Sequence, residues 1–209
     1  MIYRNAFLGF LLLFINACSQ PNKEEPVNDV LAVTGMVIEH DDFPSVYVDS
    51  RNIEVWLPEG YETEDEQYPI TSYNGNDWMV DEVLTDLIEQ QQVEKTIVVA
   101  IWNSGITRFP EYMPQQPAEV MNSESVQKEV IRNSGEAIFS DRYLKFIVEE
   151  LKPFIDSTYR TKTEAAHTSI MGSSMGGLIS LYAIMKYPDV FGAAACLSTH
   201  WTVPELGPV

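Results

Sequence analysis

Residues 167–186 read HTSIMGSSMGGLISLYAIMK, and the architecture turns on this stretch. Residues 167–171 predict a short strand and 178–186 a helix, with GSSMGG between them. Gly172-Ser173-Ser174-Met175-Gly176 fits G-x-S-x-G in the context that makes the pattern informative, an apolar strand before it and a helix after it. A serine at such a turn projects its Oγ above the sheet edge. The glycines two positions either side remove Cβ atoms that would collide with neighbouring backbone. The helix starting there aims N–H groups and its positive end at the same point. Ser174 is therefore the candidate nucleophile, and the N–H of Met175 a candidate donor to an anionic intermediate. The plainer alternative is a glycine-rich turn in which Ser173 and Ser174 only cap the helix. The strand ahead, the extra Gly177 and the lack of a Walker-type lysine weigh against it.

Working outward, residues 95–102, KTIVVAIW, lack polar alternation, as expected for a parallel strand buried on both faces. Residues 68–73 predict a strand ending at Asn74-Gly75, and 81–91 a helix with Val83, Leu84, Leu87 and Ile88 at helical spacing. The segments VIEH and SVYVDSRNIEVWLP, within 37–58, predict an antiparallel pair of leading edge strands with one face buried. Residues 103–135, rich in Pro, Asn, Ser and Gln, predict a long surface excursion. Ser140 or Asp141 caps the next helix; Leu144, Ile147, Val148, Leu151 and Ile155 line one face until Pro153 to Asp156 ends it. Residues 192–198 add a strand. Strands alternating with helices after an antiparallel start predict an α/β sandwich, a mostly parallel sheet with antiparallel N-terminal strands and helices on both faces.

The chain has 209 residues with 45% hydrophobic composition, enough for one domain with a sizeable core. Thirteen basic residues against 31 acidic ones give a net charge of −18, and no Lys/Arg cluster relieves it. Nucleic-acid binding is excluded on that ground. Residues 1–17 have a cation at Arg4 and an apolar run at 6–15, too short for a membrane span of about 20 residues and expected of a secretory signal. Ile15-Asn16-Ala17-Cys18 resembles the bacterial lipoprotein processing box. That resemblance implies acylation of Cys18 and an extracytoplasmic protein anchored to a bacterial membrane, with 18–34 as a polar tether and 35–209 as the domain. Cys196, in the run AAACL, is expected to be a buried, inert thiol outside any disulfide.

Beyond the pentapeptide, the chain resembles the esterase D and enterochelin-esterase-like group of α/β-hydrolases. The likeness is carried by RNIEVWLPEGY at 51–61, YPITSYNGND at 68–77, TIVVAIWN at 96–103, FIVEELKPFIDSTYRT at 146–161, GSSMGG at 172–177 and YPDVFGAAACLSTHW at 187–201. It implies an α/β-hydrolase fold and a serine esterase working through an acyl-enzyme on Ser174. It also implies a second oxyanion donor at the Asn76 N–H, where Asn74 replaces the usual Asp without touching a main-chain role. The expected substrate is a small-molecule or carbohydrate ester, and no cofactor is expected. A non-catalytic carbohydrate- or siderophore-binding lipoprotein is the alternative.

In such folds the acid and histidine follow the serine. Asp189 lies just past a helix that carries the chain away from Ser174, so it is expected at the opposite edge. His200 follows the strand 192–198 and is expected as pocket wall, with the role of base as the lesser alternative. In the family the acid and histidine come from later segments, so the expectation is a domain incomplete at its C-terminus. His40 beside Asp41 and Asp42 is expected in a solvated turn rather than a metal site, and His167 at a sheet end.

Overall fold

The computed structural model describes residues 34–74, 79–116 and 135–203, and the single positions 124, 128, 131, 132, 207 and 208. Strands β1 (Met36–Phe43) and β2 (Arg51–Leu57) pair antiparallel, with His40 opposite Ile53. β2 pairs antiparallel with β4 (Ile97–Ile101). From there β3 (Ile70–Asn74), β5 (Thr168–Ser173) and β6 (Ala193–Leu197) continue in parallel. The spatial order is β1-β2-β4-β3-β5-β6. The antiparallel start and parallel continuation agree with the sequence expectation, with two corrections. Of the two leading strands only β1 lies at an edge, because β2 is covered by β4 and buries Ile53, Val55 and Leu57 completely. Residues 45–48, expected to be strand, form a connection instead. The Glu150 carboxylate accepts from Ser45 Oγ and the Val46 N–H at 2.5 and 3.0 Å, which takes that backbone out of the ladder.

The sheet is buried on both faces because consecutive crossovers run in opposite directions. Helix α1 (Val80–Glu89) connects β3 to β4 and covers Trp56, Tyr73, Val98 and Ala100 with Val80, Leu84 and Ile88. Val83, expected on the buried stripe, is 56% exposed. The other face carries Ile53, Val55, Ile70, Ile97, Val99, Ile101 and Ile170, and helices α3 (140–158) and α4 (Met175–Lys186) pack over it. Right-handed crossovers leaving adjacent strands in opposite senses must place their helices on opposite faces. β3 and β5 are those strands, so the crevice outside their carboxyl ends is the switch point where ligands bind in open α/β sheets.

Helix α3 corrects two further expectations. It starts at Ser140, after the N-cap Phe139, and Ser140 Oγ accepts the N–H of Gln115 at 3.0 Å instead of capping. It also passes through Pro153 and ends at Thr158. The turn Phe146–Leu151 directly ahead of the proline is a wider π turn, whose shifted hydrogen bonding accommodates a residue that has no N–H to give.

The expected surface excursion is buried in part, at Thr107 and residues 110–114. After β4 the chain makes a tight turn at Gly105–Thr107 and a short helix α2 (Arg108–Tyr112), in which Pro110, Glu111 and Tyr112 are buried. Residues 117–123 lie outside the described positions.

Candidate active site

The strand β5 ends at Ser173 and α4 begins at Met175, leaving Ser174 alone at the junction. Its backbone takes φ 56° and ψ −119°, a left-handed conformation that glycine tolerates and serine adopts only under constraint. Three backbone bonds impose it. The Ser174 N–H donates to Leu197 O at 3.0 Å, and its carbonyl accepts from the N–H groups of Leu178 and His200, each at 3.2 Å. The elbow is thus bound to the end of β6 and to the loop that follows, where Ser198 is itself left-handed at φ 43°.

Gly172 serves the purpose inferred from the sequence. A Cβ on Gly172 would stand 2.4 Å from the backbone C and O of Gly176, and one on Gly177 would meet Thr199 Oγ1 at 2.7 Å. Ser174 occupies the N-cap position of α4, yet its side chain makes no capping hydrogen bond. The helix-cap alternative therefore lacks its defining contact.

Ser174 is half-buried, at the carboxyl edge shared by the parallel strands β4, β3, β5 and β6. Met175 is the first helical residue, one of the four whose N–H groups have no acceptor within the helix, and it is 1% exposed. Asn76 lies outside the described residues, as does Cys18; β3 brings the chain to Asn74, beside Ile101 of β4. His200 is half-buried, and its N–H···O bond sets its backbone directly against that of Ser174.

Other candidates are elsewhere. α4 returns the chain to the amino edge, where the Gly192 N–H donates to Thr168 O at 2.9 Å; Asp189, three residues earlier, is exposed. His167 ends a short turn just before β5, at that same amino edge. His40 is corrected: it lies within β1, not in a turn, with Nε2 2.7 Å from Tyr159 Oη and its ring edge-on to Phe154. Cys196 is half-buried instead of buried, because among the described residues β6 pairs only with β5; partial burial still pushes its thiol pKa up.

At the same carboxyl edge the structure holds a pair that sequence reasoning missed. Arg51 opens β2 and Glu111 belongs to α2, and they form a bidentate ion pair at 3.0 and 2.6 Å with side chains 2% and 1% exposed. The guanidinium also donates to Asp49 O at 3.4 Å and lies 5.2 and 5.1 Å from the ring centroids of Tyr143 and Phe146. Burial opposes its charge, but the bonds and proximity to Glu111 prevail and raise its pKa. Burial also pushes the neighbouring Tyr112 up to about 12. Sixty residues separate the partners, and no local pattern in the sequence links them.

The family model described as "Putative esterase" matches residues 46–205. The uncharacterized protein YbbA of Bacillus subtilis (strain 168) is 25% identical over 156 residues, 73% of this chain and 58% of that protein. An IroE-like serine hydrolase from Shewanella oneidensis superposes with TM-score 0.61 at 24% identity, covering 78% of this chain and 51% of that one. The enterobactin esterase FES from Shigella flexneri gives 0.59 at 21% identity over 82% and 39%. The chain thus spans roughly two fifths to three fifths of the length of these relatives. With the match extending over more than half of its 209 residues, the chain belongs to this esterase family and carries its α/β-hydrolase fold.

Proposed function

We propose that the whole protein hydrolyses a carboxylic ester, borne on a small molecule or carbohydrate, through an acyl-enzyme on Ser174. The observation that carries this reading is the strained Ser174, held at the sheet's carboxyl edge with no capping bond to occupy its hydroxyl. In the proposed reaction Ser174 Oγ attacks the ester carbonyl as a base takes its proton, and the N–H groups of Met175 and Asn76 hold the oxyanion. The protonated base gives its proton to the departing alcohol oxygen; water, deprotonated by the same base, then attacks the acyl-enzyme, and the acid leaves as Ser174 Oγ recovers its proton. Membership in the esterase family supports the reaction class, and the enterobactin esterase neighbour supports a small-molecule ester. Attachment to a membrane through acylated Cys18 belongs to the same proposal; it is checked by incorporation of labelled fatty acid into the wild type and not into Cys18→Ala.

A fluorophosphonate probe tests the mechanism. Labelling of the wild type is expected to disappear in Ser174→Ala, together with a fall in kcat of about a thousandfold or more. Unchanged ester hydrolysis in Ser174→Ala would sink the assignment, and a wild type that binds a carbohydrate or siderophore but takes no label would be a binding protein. His200→Ala separates the two roles open to that residue: a pocket wall alters KM and leaves labelling intact, whereas the base abolishes labelling.

A further inference from the structure

We propose that the buried Arg51–Glu111 pair is a positioning device for the substrate-binding wall, holding the segment that leaves β4 across the sheet edge beside Ser174. The inference rests on the reading of Ser174 as nucleophile.

Its location comes first. β2 runs antiparallel to β4, with Ile53 opposite Ile101, and the Trp102 N–H donates to Asn52 O at 3.2 Å. Arg51 therefore stands at the carboxyl end of β4, on the edge that carries Ser174. The segment leaving β4 turns at Gly105–Thr107 and enters α2, which packs against both α3 and α4, the helix that begins next to Ser174.

The chemistry of the pair comes second. A buried ion pair is a poor stabiliser, since apolar residues of the same volume often serve as well. What the guanidinium fork adds is direction. Two bonds to Glu111, one to Asp49 O and the rings of Tyr143 and Phe146 hold α2 in a single register against β2. The segment so held leaves Ile106 and Phe109 exposed at 68% and 38% while burying Pro110, Glu111 and Tyr112. A segment pinned in this way, with apolar side chains exposed beyond the sheet edge that carries Ser174, is suited to bind the apolar part of an ester. Ser174 has its own anchors on β6 and α4, so releasing the segment weakens substrate binding and spares the chemical step.

The test compares the full-length wild type with the double variant R51M/E111M, which removes both charges and leaves none unpaired. With p-nitrophenyl butyrate, KM is expected to rise about tenfold while kcat stays within about threefold. Limited trypsinolysis after Arg108 is expected to accelerate about tenfold, with cleavage after Arg160 and Lys186 unchanged. Cleavage of the variant after Arg108 at the wild-type rate overturns the proposal, and so does equal acceleration at all three sites, the mark of a merely structural pair. Selective acceleration with unchanged KM overturns it as well, because the segment would then not touch substrate. A wild type that hydrolyses no ester defeats the Ser174 reading, while the trypsin comparison still decides whether the pair holds the segment. If the double variant does not fold, Arg51→Lys, which keeps the charge and loses the fork, carries the same comparison.

Discussion

Ser174 concentrates the tension between stability and use at a single residue. A non-glycine residue at φ 56° and ψ −119° costs about 1–3 kcal/mol, which the bonds to Leu197, Leu178 and His200 offset. Replacement by glycine removes the Cβ from that strained geometry, whereas alanine keeps it there. Ser174→Gly is therefore expected to exceed Ser174→Ala in stability by about 1–2 kcal/mol, visible as a Tm several degrees higher, with both variants inactive. Equal melting temperatures would mean that the backbone carries no strain. The elbow that holds this residue was legible because its requirements are local: a strand, two glycines and a helix within one short stretch. His40 was not legible, since its partner Tyr159 lies 119 residues away.

The elements around Ser174 are held by close backbone approach and by one buried charge pair, and these respond differently to mutation. Gly172→Ala would press a Cβ to 2.4 Å from Gly176 backbone, which cannot swing aside as a side chain could. The expected loss is about 1–3 kcal/mol or more, measured as a lower urea midpoint, with reduced fluorophosphonate labelling because the elbow itself moves. An unchanged midpoint would mean that β5 and α4 can separate freely. For the charge pair, Glu111→Ala leaves the Arg51 guanidinium buried without its counterion and is expected to cost about 3–5 kcal/mol. The double variant R51M/E111M should cost less than that single change, and a urea titration of the three proteins reads the difference. If the double variant is the less stable of the two, the pair stabilises the fold beyond its role in direction. At this scale the strands and most helices were readable from apolar periodicity. The misplaced features, β2 taken as an edge and α3 ended between Pro153 and Asp156, follow from contacts that periodicity does not encode.

Across the whole molecule, the response to pH follows from tyrosines buried in the fold. Burial pushes Tyr112 up to about 12, and burial reinforced by a hydrogen bond to Glu64 does the same for Tyr68. In the unfolded chain both ionise near pH 10. Between about pH 10 and 12 the unfolded state therefore gives up protons that the native state keeps, and stability falls as pH rises. The contribution is complete below about pH 10 and lost as pH approaches 12. Urea midpoints at pH 9 and pH 11 should differ in that direction for the wild type and by less for Tyr112→Phe. An equal drop in the variant would assign the effect to other groups.

The sequence alone determined the α/β class, the strand-turn-helix that presents Ser174, and the acidic balance, because periodicity, small-residue spacing and net charge are local or summed properties of the chain. Only the tertiary structure decided that β2 lies inside the sheet, that residues 110–114 of the 103–135 excursion are buried, and that Arg51 meets Glu111 at the edge where Ser174 stands. Each of those depends on which distant segments come together once the core is packed. A bidentate pair between residues 51 and 111 has no counterpart in local pattern, since its geometry exists only after β2, β4 and α2 have docked.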